Sequence, residues 1–217
     1  MAYFTKEFVN FFLELEKNNK KEWFHTNKKT YEAYVKKPMV AFVTDVIQEM
    51  KKSDREIDID PKKCIGRINR DIRFSKDKTP YNIRLFAHIT KGPKSDPLPG
   101  VAFRFGGRDS GIMGGFYNPS KSRLSQIREQ ISAAPKTFNS LYSAKAFMET
   151  FGSIQGEAHK RIPPEFRTAY EEEPLIALKQ FYYVREYGPE IALRDDLLSF
   201  VLHHWEVARP LNNFLAQ

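Results

Sequence analysis

The apolar positions divide the chain into three stretches with different periods. After Thr5, which the pattern marks as an N-cap, Phe8, Phe11, Phe12 and Leu15 recur at helical spacing until Asn18-Asn19 ends the run; this predicts an amphipathic helix. A second helical stretch carries Tyr31, Tyr34 and Val35 before Pro38, then Met39, Phe42, Val43, Val46, Ile47 and Met50 after it. Proline lacks an amide hydrogen and crowds the preceding turn, so two helices or one bent helix are expected there. "KKSDREIDIDP" reads as a polar connection closed by Pro61.

From Ile65 the period becomes two, which predicts strands. A strand over 65–74 would put Ile68, Arg70, Ile72 and Phe74 on one face and Arg67, Asn69, Asp71 and Arg73 on the other. "SKDKTP" turns the chain through Asp77 and Pro80. A second strand sets Tyr81, Ile83, Leu85, Ala87 and Ile89 against Asn82, Arg84, Phe86 and His88; after the loop "TKGPKSDPLPG", a third sets Val101, Phe103 and Phe105 against Ala102 and Arg104. In one antiparallel sheet, Arg67, Arg73, Arg84 and Arg104 would gather on the face away from the core.

Five of the 11 glycines, Gly106, Gly107, Gly111, Gly114 and Gly115, follow closely. Such a density marks a bulge, a tight turn or the close approach of another backbone or a ligand. A helix opened by Pro119 or Ser120 comes next, with Leu124, Ile127 and Ile131 on its apolar side and Lys121 and Arg123 in its first turn. That helix start is read either as an anion cradle or as an ordinary cap after a bulged strand. The spacing matches neither a Walker A loop nor a GxGxxG fingerprint. In the last third, Phe138, Leu141, Phe147 and Phe151 predict a helical hairpin, "FYYVREYG" an edge strand, and Leu197, Leu198, Val201, Leu202 and Trp205 a helix ending before "RPLNNFL". The expected fold is one α+β domain over 1–217, helical over 1–60, strands over 61–118 and mainly helical over 119–217. Its central antiparallel sheet comes from the middle third and is flanked by N-terminal and C-terminal helices.

Composition narrows this picture. A hydrophobic content of 41%, with 18 Phe and 10 Tyr, argues against disorder, and no apolar run approaches the roughly 18 residues of a membrane span. The apolar cluster Phe8 to Leu13 is bounded by Glu7 and Glu14 without a small-residue cleavage site, so a cytoplasmic protein is expected. Cys64 is the only cysteine, excluding an intramolecular disulfide and a multi-cysteine zinc site; it reads as packing. The net charge of +8 is local: residues 1–60 hold 11 basic and 11 acidic side chains, 61–128 hold 15 and 4, and 129–217 hold 9 and 12. Either the middle third presents an anion-seeking surface, or the other thirds fold over it and neutralise it.

Catalytic signals are thin. The five histidines show no metal-ligand spacing, and His203, His204 and Glu206 read as a polar helix edge. No metal and no cofactor are expected. Ser75 sits among Arg73, Lys76 and Lys78, but no nucleophile elbow or base accompanies it. Asp71 is more simply an ion-pair partner than a general base. The residues leave open whether the chain is an enzyme.

"NNKKEWF", "RINRDIRFSKDKTPY", "GGFYNPSKSRLSQIREQI" and "GEAHKRIPPEF", in that order, resemble the family catalogued as domain of unknown function 2461 over nearly the whole chain. The most specific string is Arg70, Asp71, Arg73, Phe74, Ser75, Asp77, Lys78, Pro80 and Tyr81; Asn82 and His159 depart from the family's usual residues. The resemblance implies a single α+β domain without an established activity. Two readings follow from the residues. In one, Arg67, Arg70, Arg73, Lys78, Arg84 and Arg104, with Lys160 and Arg161 reaching back from the last third, bind a phosphate- or carboxylate-bearing molecule through arginine's planar fork. A single-stranded nucleic acid stacking on Phe74, Tyr81, Phe86 or Phe116 is a variant of it. In the other, Arg70, Asp71 and Asp77 form a structural ion-pair network in a scaffold or partner-binding protein. A metal-free hydrolase using Asp71 or Ser75 ranks below both. Within these readings Arg70 is the structural cation, because it shares the apolar face, and Arg73 and Lys78 are where the ligand is sought. The oligomeric state is left open.

Overall fold

The first predicted helix forms over Lys6–Lys17 (α1) in the computed structural model, which describes residues 2–92 and 97–217. Phe8, Phe11, Phe12 and Leu15 are its buried residues. Short helices follow over Lys21–Thr26 (α2) and Lys28–Tyr31 (α3). Pro38 neither breaks nor separates what comes next. A π-helical turn over Glu32–Lys36 precedes Lys37–Ser53 (α4), and the Lys37 N–H donates to the Glu32 carbonyl. The wider turn adjusts the ladder just where Pro38 has no N–H to contribute, as π-bulges do when a regular hydrogen-bond series must be interrupted. Asp60 caps the turn Pro61–Cys64 (α5) by accepting from the Lys62 N–H.

The sheet is four-stranded in the order β1-β2-β3-β4: Arg84–Ile89 (β1), Val101–Gly106 (β2), Ser110–Phe116 (β3) and Phe181–Tyr187 (β4). It is antiparallel and the fold is α+β. The alternation in β1 is the predicted one, with Leu85, Ala87 and Ile89 buried and Arg84 and Phe86 exposed. Of the five clustered glycines, Gly111, Gly114 and Gly115 lie in β3, Gly106 ends β2 and Gly107 is in the turn between them. The edge strand read from "FYYVREYG" is β4, so the sheet draws one strand from the last third. Of the loop 90–100, residues 93–96 lie outside the described residues.

The remaining helices are Lys121–Ala133 (α6), Pro135–Tyr142 (α7), Lys145–Phe151 (α8), Arg167–Glu172 (α9) and Leu197–Ala216 (α10). Ser120 caps α6, accepting from the Arg123 N–H at 3.1 Å. Helix α10 runs through Pro210 instead of ending before it, because residues on both sides of the proline are buried: Ala208, Leu211, Phe214 and Leu215. That burial outweighs one missing ladder bond. His204 is also buried, against Phe151 with ring centres 5.5 Å apart, rather than lying on a polar edge. Among the described residues no helix is long and apolar enough to cross a membrane.

Two compact units divide the chain. The first comprises Met1–Ile89, Ala102–Ile112 and Glu186–Leu202. Its core is aromatic: Phe42 packs on Phe103 at 5.2 Å and Phe4 on Phe105 at 5.7 Å. The second comprises Thr90–Val101, Met113–Arg185 and His203–Gln217, around Ile127, Ile131, Phe138, Phe147, Phe181 and Tyr183. Within it, the fully buried Tyr183 hydroxyl donates to Asn212 Oδ1 at 2.8 Å, and Asn212 Nδ2 donates to the Gly100 carbonyl at 3.2 Å.

Candidate functional site

The predicted strand over 65–74 does not form as a continuous strand. Ile65 pairs with Ala87 and Asn69 with Tyr81, both antiparallel. Three residues separate the first members of these pairs and five separate the second, so two extra residues bulge from the 82–86 side. A bulge of this kind ends regular pairing and re-aims side chains. The ladder is intact on either side of it: Gly66 N–H donates to the Phe86 carbonyl at 2.8 Å, and Asn82 N–H donates to the Ile68 carbonyl at 2.7 Å. Side chains take over at the gap. Asn82 Nδ2 donates to the Arg67 carbonyl at 2.9 Å, while Asn19 Nδ2 donates to the Tyr81 carbonyl at 2.9 Å and Asn19 Oδ1 accepts from the Tyr81 N–H at 3.0 Å. Tyr81 is thereby fixed and buried, its ring stacked on Phe24 at 4.2 Å.

Beyond Arg70 the alternation is lost altogether. Asp71 Oδ1 accepts from the Arg73 N–H and Asp77 Oδ1 from the Thr79 N–H, so each aspartate captures the backbone two residues on. Such local turns compete with a sheet ladder and here displace it. Phe74, expected with Ile68 and Ile72 on the buried face, is 95% exposed for this reason. Lys78 Nζ closes the loop by donating to the Ile72 carbonyl at 2.9 Å.

The bulge borders a cleft of about 710 Å³ in the first unit, within the range of small-molecule sites. Arg67, Arg70, Arg84 and Arg104 line it, with Asn69, Tyr81, Asn82, Phe86 and the carboxylate of Asp77. Three of the four arginines are engaged. Arg70 Nη1 pairs with Asp77 at 2.5 Å and donates to the Thr79 carbonyl and hydroxyl. Arg84 makes a bidentate pair with Asp109. Arg104 Nη2 contacts both oxygens of Glu186 at 2.6 Å, and its Nε lies 3.9 Å from Asp109. The Arg67 side chain is exposed, and among the described residues it has no hydrogen bond or ion pair. Against these four arginines stand Asp77, Asp109 and Glu186, which leaves one positive charge, that of Arg67.

Asp77 and Asp109 are held ionised. Hydrogen bonds from the Thr79 N–H, Arg70 and the Thr79 hydroxyl bring Asp77 down to about 2, and the Arg84 guanidinium holds Asp109 below the usual carboxylate range. Asp71 is lowered chiefly by its hydrogen bond from Arg73.

Arg73 and Lys78, named from sequence as ligand positions, do not line the cleft. Arg73 is exposed in a pair with Asp71 at 2.6 Å, and Lys78 is spent on the loop. Lys160 and Arg161 are exposed residues of the second unit and are not among the cleft residues. Of the aromatics considered as stacking faces, Tyr81 and Phe116 are buried, Phe74 is on the loop, and Phe86, 40% exposed, lines the cleft. Asn19, Asp109 and Glu186 carry much of the local architecture and were not singled out from the sequence. Their partners are 62, 25 and 82 positions away, beyond the reach of any local pattern. Cys64 is buried, and burial pushes its thiol up to about 11. Among the described residues no group of three or more His, Cys, Asp or Glu is placed to hold a metal ion.

Residues 7–214 match the family described as conserved hypothetical protein (DUF2461). No curated protein and no solved structure matches the chain.

Proposed function

Since the chain belongs to this family of conserved hypothetical proteins, whose description assigns no activity, we propose a function from the cleft itself: it binds a small anionic molecule carrying phosphate or carboxylate. Arg67 is the anchor. The observation that carries this reading is an exposed guanidinium without a carboxylate partner among the described residues, lining a concave site whose other cations are already paired. Guanidinium stays charged and its planar fork matches both oxyanions. Arg84 and Arg104 have their charge offset by Asp109 and Glu186, which occupy Nε and Nη2 of Arg84 and Nη2 of Arg104.

A thermal-shift screen of the purified chain against phosphorylated and carboxylated metabolites tests this. A ligand at about 100 times its Kd stabilises by about 2.7 kcal/mol, or about 5–11 °C for a domain of this size. Arg67→Ala should remove the shift and Arg73→Ala should keep it. No shift with any anion, or the same shift in Arg67→Ala, sinks the proposal.

A second reading is favoured by the pairing itself, since Arg70, Arg73, Arg84 and Arg104 each hold a carboxylate. In it the signature fixes the loop and the bulge, and the protein acts through another surface. Arg67→Ala separates the two: loss of anion binding at unchanged Tm supports the first reading, whereas a parent chain that binds no anion, together with a Tm that falls in Arg70→Ala, supports the second.

A further inference from the structure

We infer that the cleft takes a mononucleotide, with the phosphate on Arg67 and the base on the ring of Phe86; this rests on the anion-binding reading above. Phe86 sits on the outer face of β1 between Arg84 and His88, yet 40% of it remains exposed. Phe86 lines the cleft, and its neighbour across the ladder is glycine. The Gly66 N–H donates to the Phe86 carbonyl, and a Cβ at Gly66 would come within 3.9 Å of the ring's Cδ1. Glycine thus spares the Phe86 side chain one further neighbour, while the His88 ring lies 6.4 Å from its ring, centre to centre. Arg67 follows directly, at the bulge. A partly exposed aromatic ring and, among the described residues, an unpaired guanidinium therefore line one cleft from adjoining segments.

That pairing of groups selects a ligand with a flat ring and one oxyanion. Bases stack on aromatic side chains irrespective of identity, and Arg67 supplies a two-pronged anion contact. Asn69, Thr79 and Asp77 also line the cleft and bring polar groups suited to sugar hydroxyls. A single nucleotide fits better than a strand of nucleic acid. Tracking a backbone needs several free cations, and among the described residues only Arg67 of the lining arginines is without a carboxylate.

The test is titration calorimetry of the full chain with adenosine 5′-monophosphate, uridine 5′-monophosphate, ribose 5-phosphate and inorganic phosphate. Both nucleotides should bind about tenfold tighter than ribose 5-phosphate. Phe86→Ala should erase that ratio while leaving ribose 5-phosphate binding intact, and Arg67→Ala should weaken all four. Phe86→Leu keeps apolar bulk without a flat face and should behave like the alanine variant if the latter folds poorly. Equal binding of nucleotides and ribose 5-phosphate, both dependent on Arg67, overturns the nucleotide assignment alone, as does a nucleotide preference that survives both Phe86 variants. A short single-stranded oligonucleotide binding more than tenfold tighter than adenosine 5′-monophosphate overturns the mononucleotide in favour of a strand. If no phosphate compound binds and carboxylates do, the nucleotide assignment fails and the anion reading stands; if no anion binds, both fall.

Discussion

Asn19→Ala should destabilise the fold by about 2 kcal/mol although the side chain belongs to no regular element. Asn19 makes two hydrogen bonds, at 2.9 and 3.0 Å, to the carbonyl and N–H of Tyr81, where a strand partner would otherwise sit. Each such bond contributes about 0.5–1.5 kcal/mol net. Their loss leaves two backbone groups of a buried residue to find water beside the stacked Phe24–Tyr81 rings. For a chain of this length the change is about 4–8 °C in Tm. Urea unfolding followed by circular dichroism measures it, with the midpoint falling and the slope unchanged. Asn19→Asp sharpens the argument. It keeps an acceptor for the Tyr81 N–H but turns a charged oxygen toward the Tyr81 carbonyl, so near neutrality it should be at least as damaging as alanine. Part of the loss should be recovered on acidification, as the carboxyl protonates and can donate. A midpoint for Asn19→Ala within about 0.5 kcal/mol of the parent, the range of an inconsequential surface change, would refute the claim that this side chain substitutes for sheet pairing.

Other expectations follow from the same geometry. Burial holds His88 below the ordinary histidine range, so between that lowered value and about 6.5 the unfolded chain binds more protons than the folded one. Stability should therefore rise with pH across that window and be lost on acidification below about 6.5. His88→Gln should reduce the slope without abolishing it, since His159 is lowered as well, by burial and then by Arg128 and Lys179; urea midpoints at pH 5.5 and 7.5 that differ equally in variant and parent would contradict this. Gly115 and Gly152 both have positive φ, near +80°, but a Cβ at Gly115 would lie 2.2 Å from the Phe181 carbonyl oxygen, whereas Gly152 has open space. Gly152, with φ 81° and ψ −70°, is in the strained classic γ-turn region, so Gly152→Ala should cost about 1–3 kcal/mol of backbone strain alone and Gly115→Ala more; equal losses of Tm would show that the close approach is relieved without cost.

Periodicity carried as far as the chain obeyed one period. Helix α1 and the two faces of β1 were legible because each buries one regular stripe. The segment 65–74 was not, since alternation marks which residues suit a strand but cannot show that the opposite segment holds two residues too many. Nor does it show that Asp71 and Asp77 will turn the backbone locally. Pro38 and Pro210 were read by their intrinsic effect. A π-helical turn accommodates the first, and burial on both sides of the second keeps α10 continuous. For the cleft, sequence named the four arginines that line it together with Arg73, which does not, and it could not show their partners. Arg70 has a partner seven residues away, whereas Arg84 and Arg104 draw theirs from the turn after β2 and from β4.

The two readings of the arginine signature need not compete, because the bulge demands both. Interrupting the ladder between Ile65 and Tyr81 strips backbone groups of their partners, and such groups are costly unless bonded. Asn82 satisfies the Arg67 carbonyl there and Asn19 the outward-facing edge of Tyr81, while Arg70 with Asp77 holds the loop. Each of these residues is fixed by a structural duty. What that scaffold leaves over is specific: the bulge borders a cleft, the Phe86 ring that lines it is partly exposed, and Arg67 lies at the gap with its main chain held by Asn82 and, among the described residues, no partner for its side chain. Among the described residues the carboxylates offset the charge of Arg70, Arg84 and Arg104 and not that of Arg67. Binding should thus depend steeply on Arg67 and stability on Asn19 and Arg70, a division of labour that neither reading alone requires.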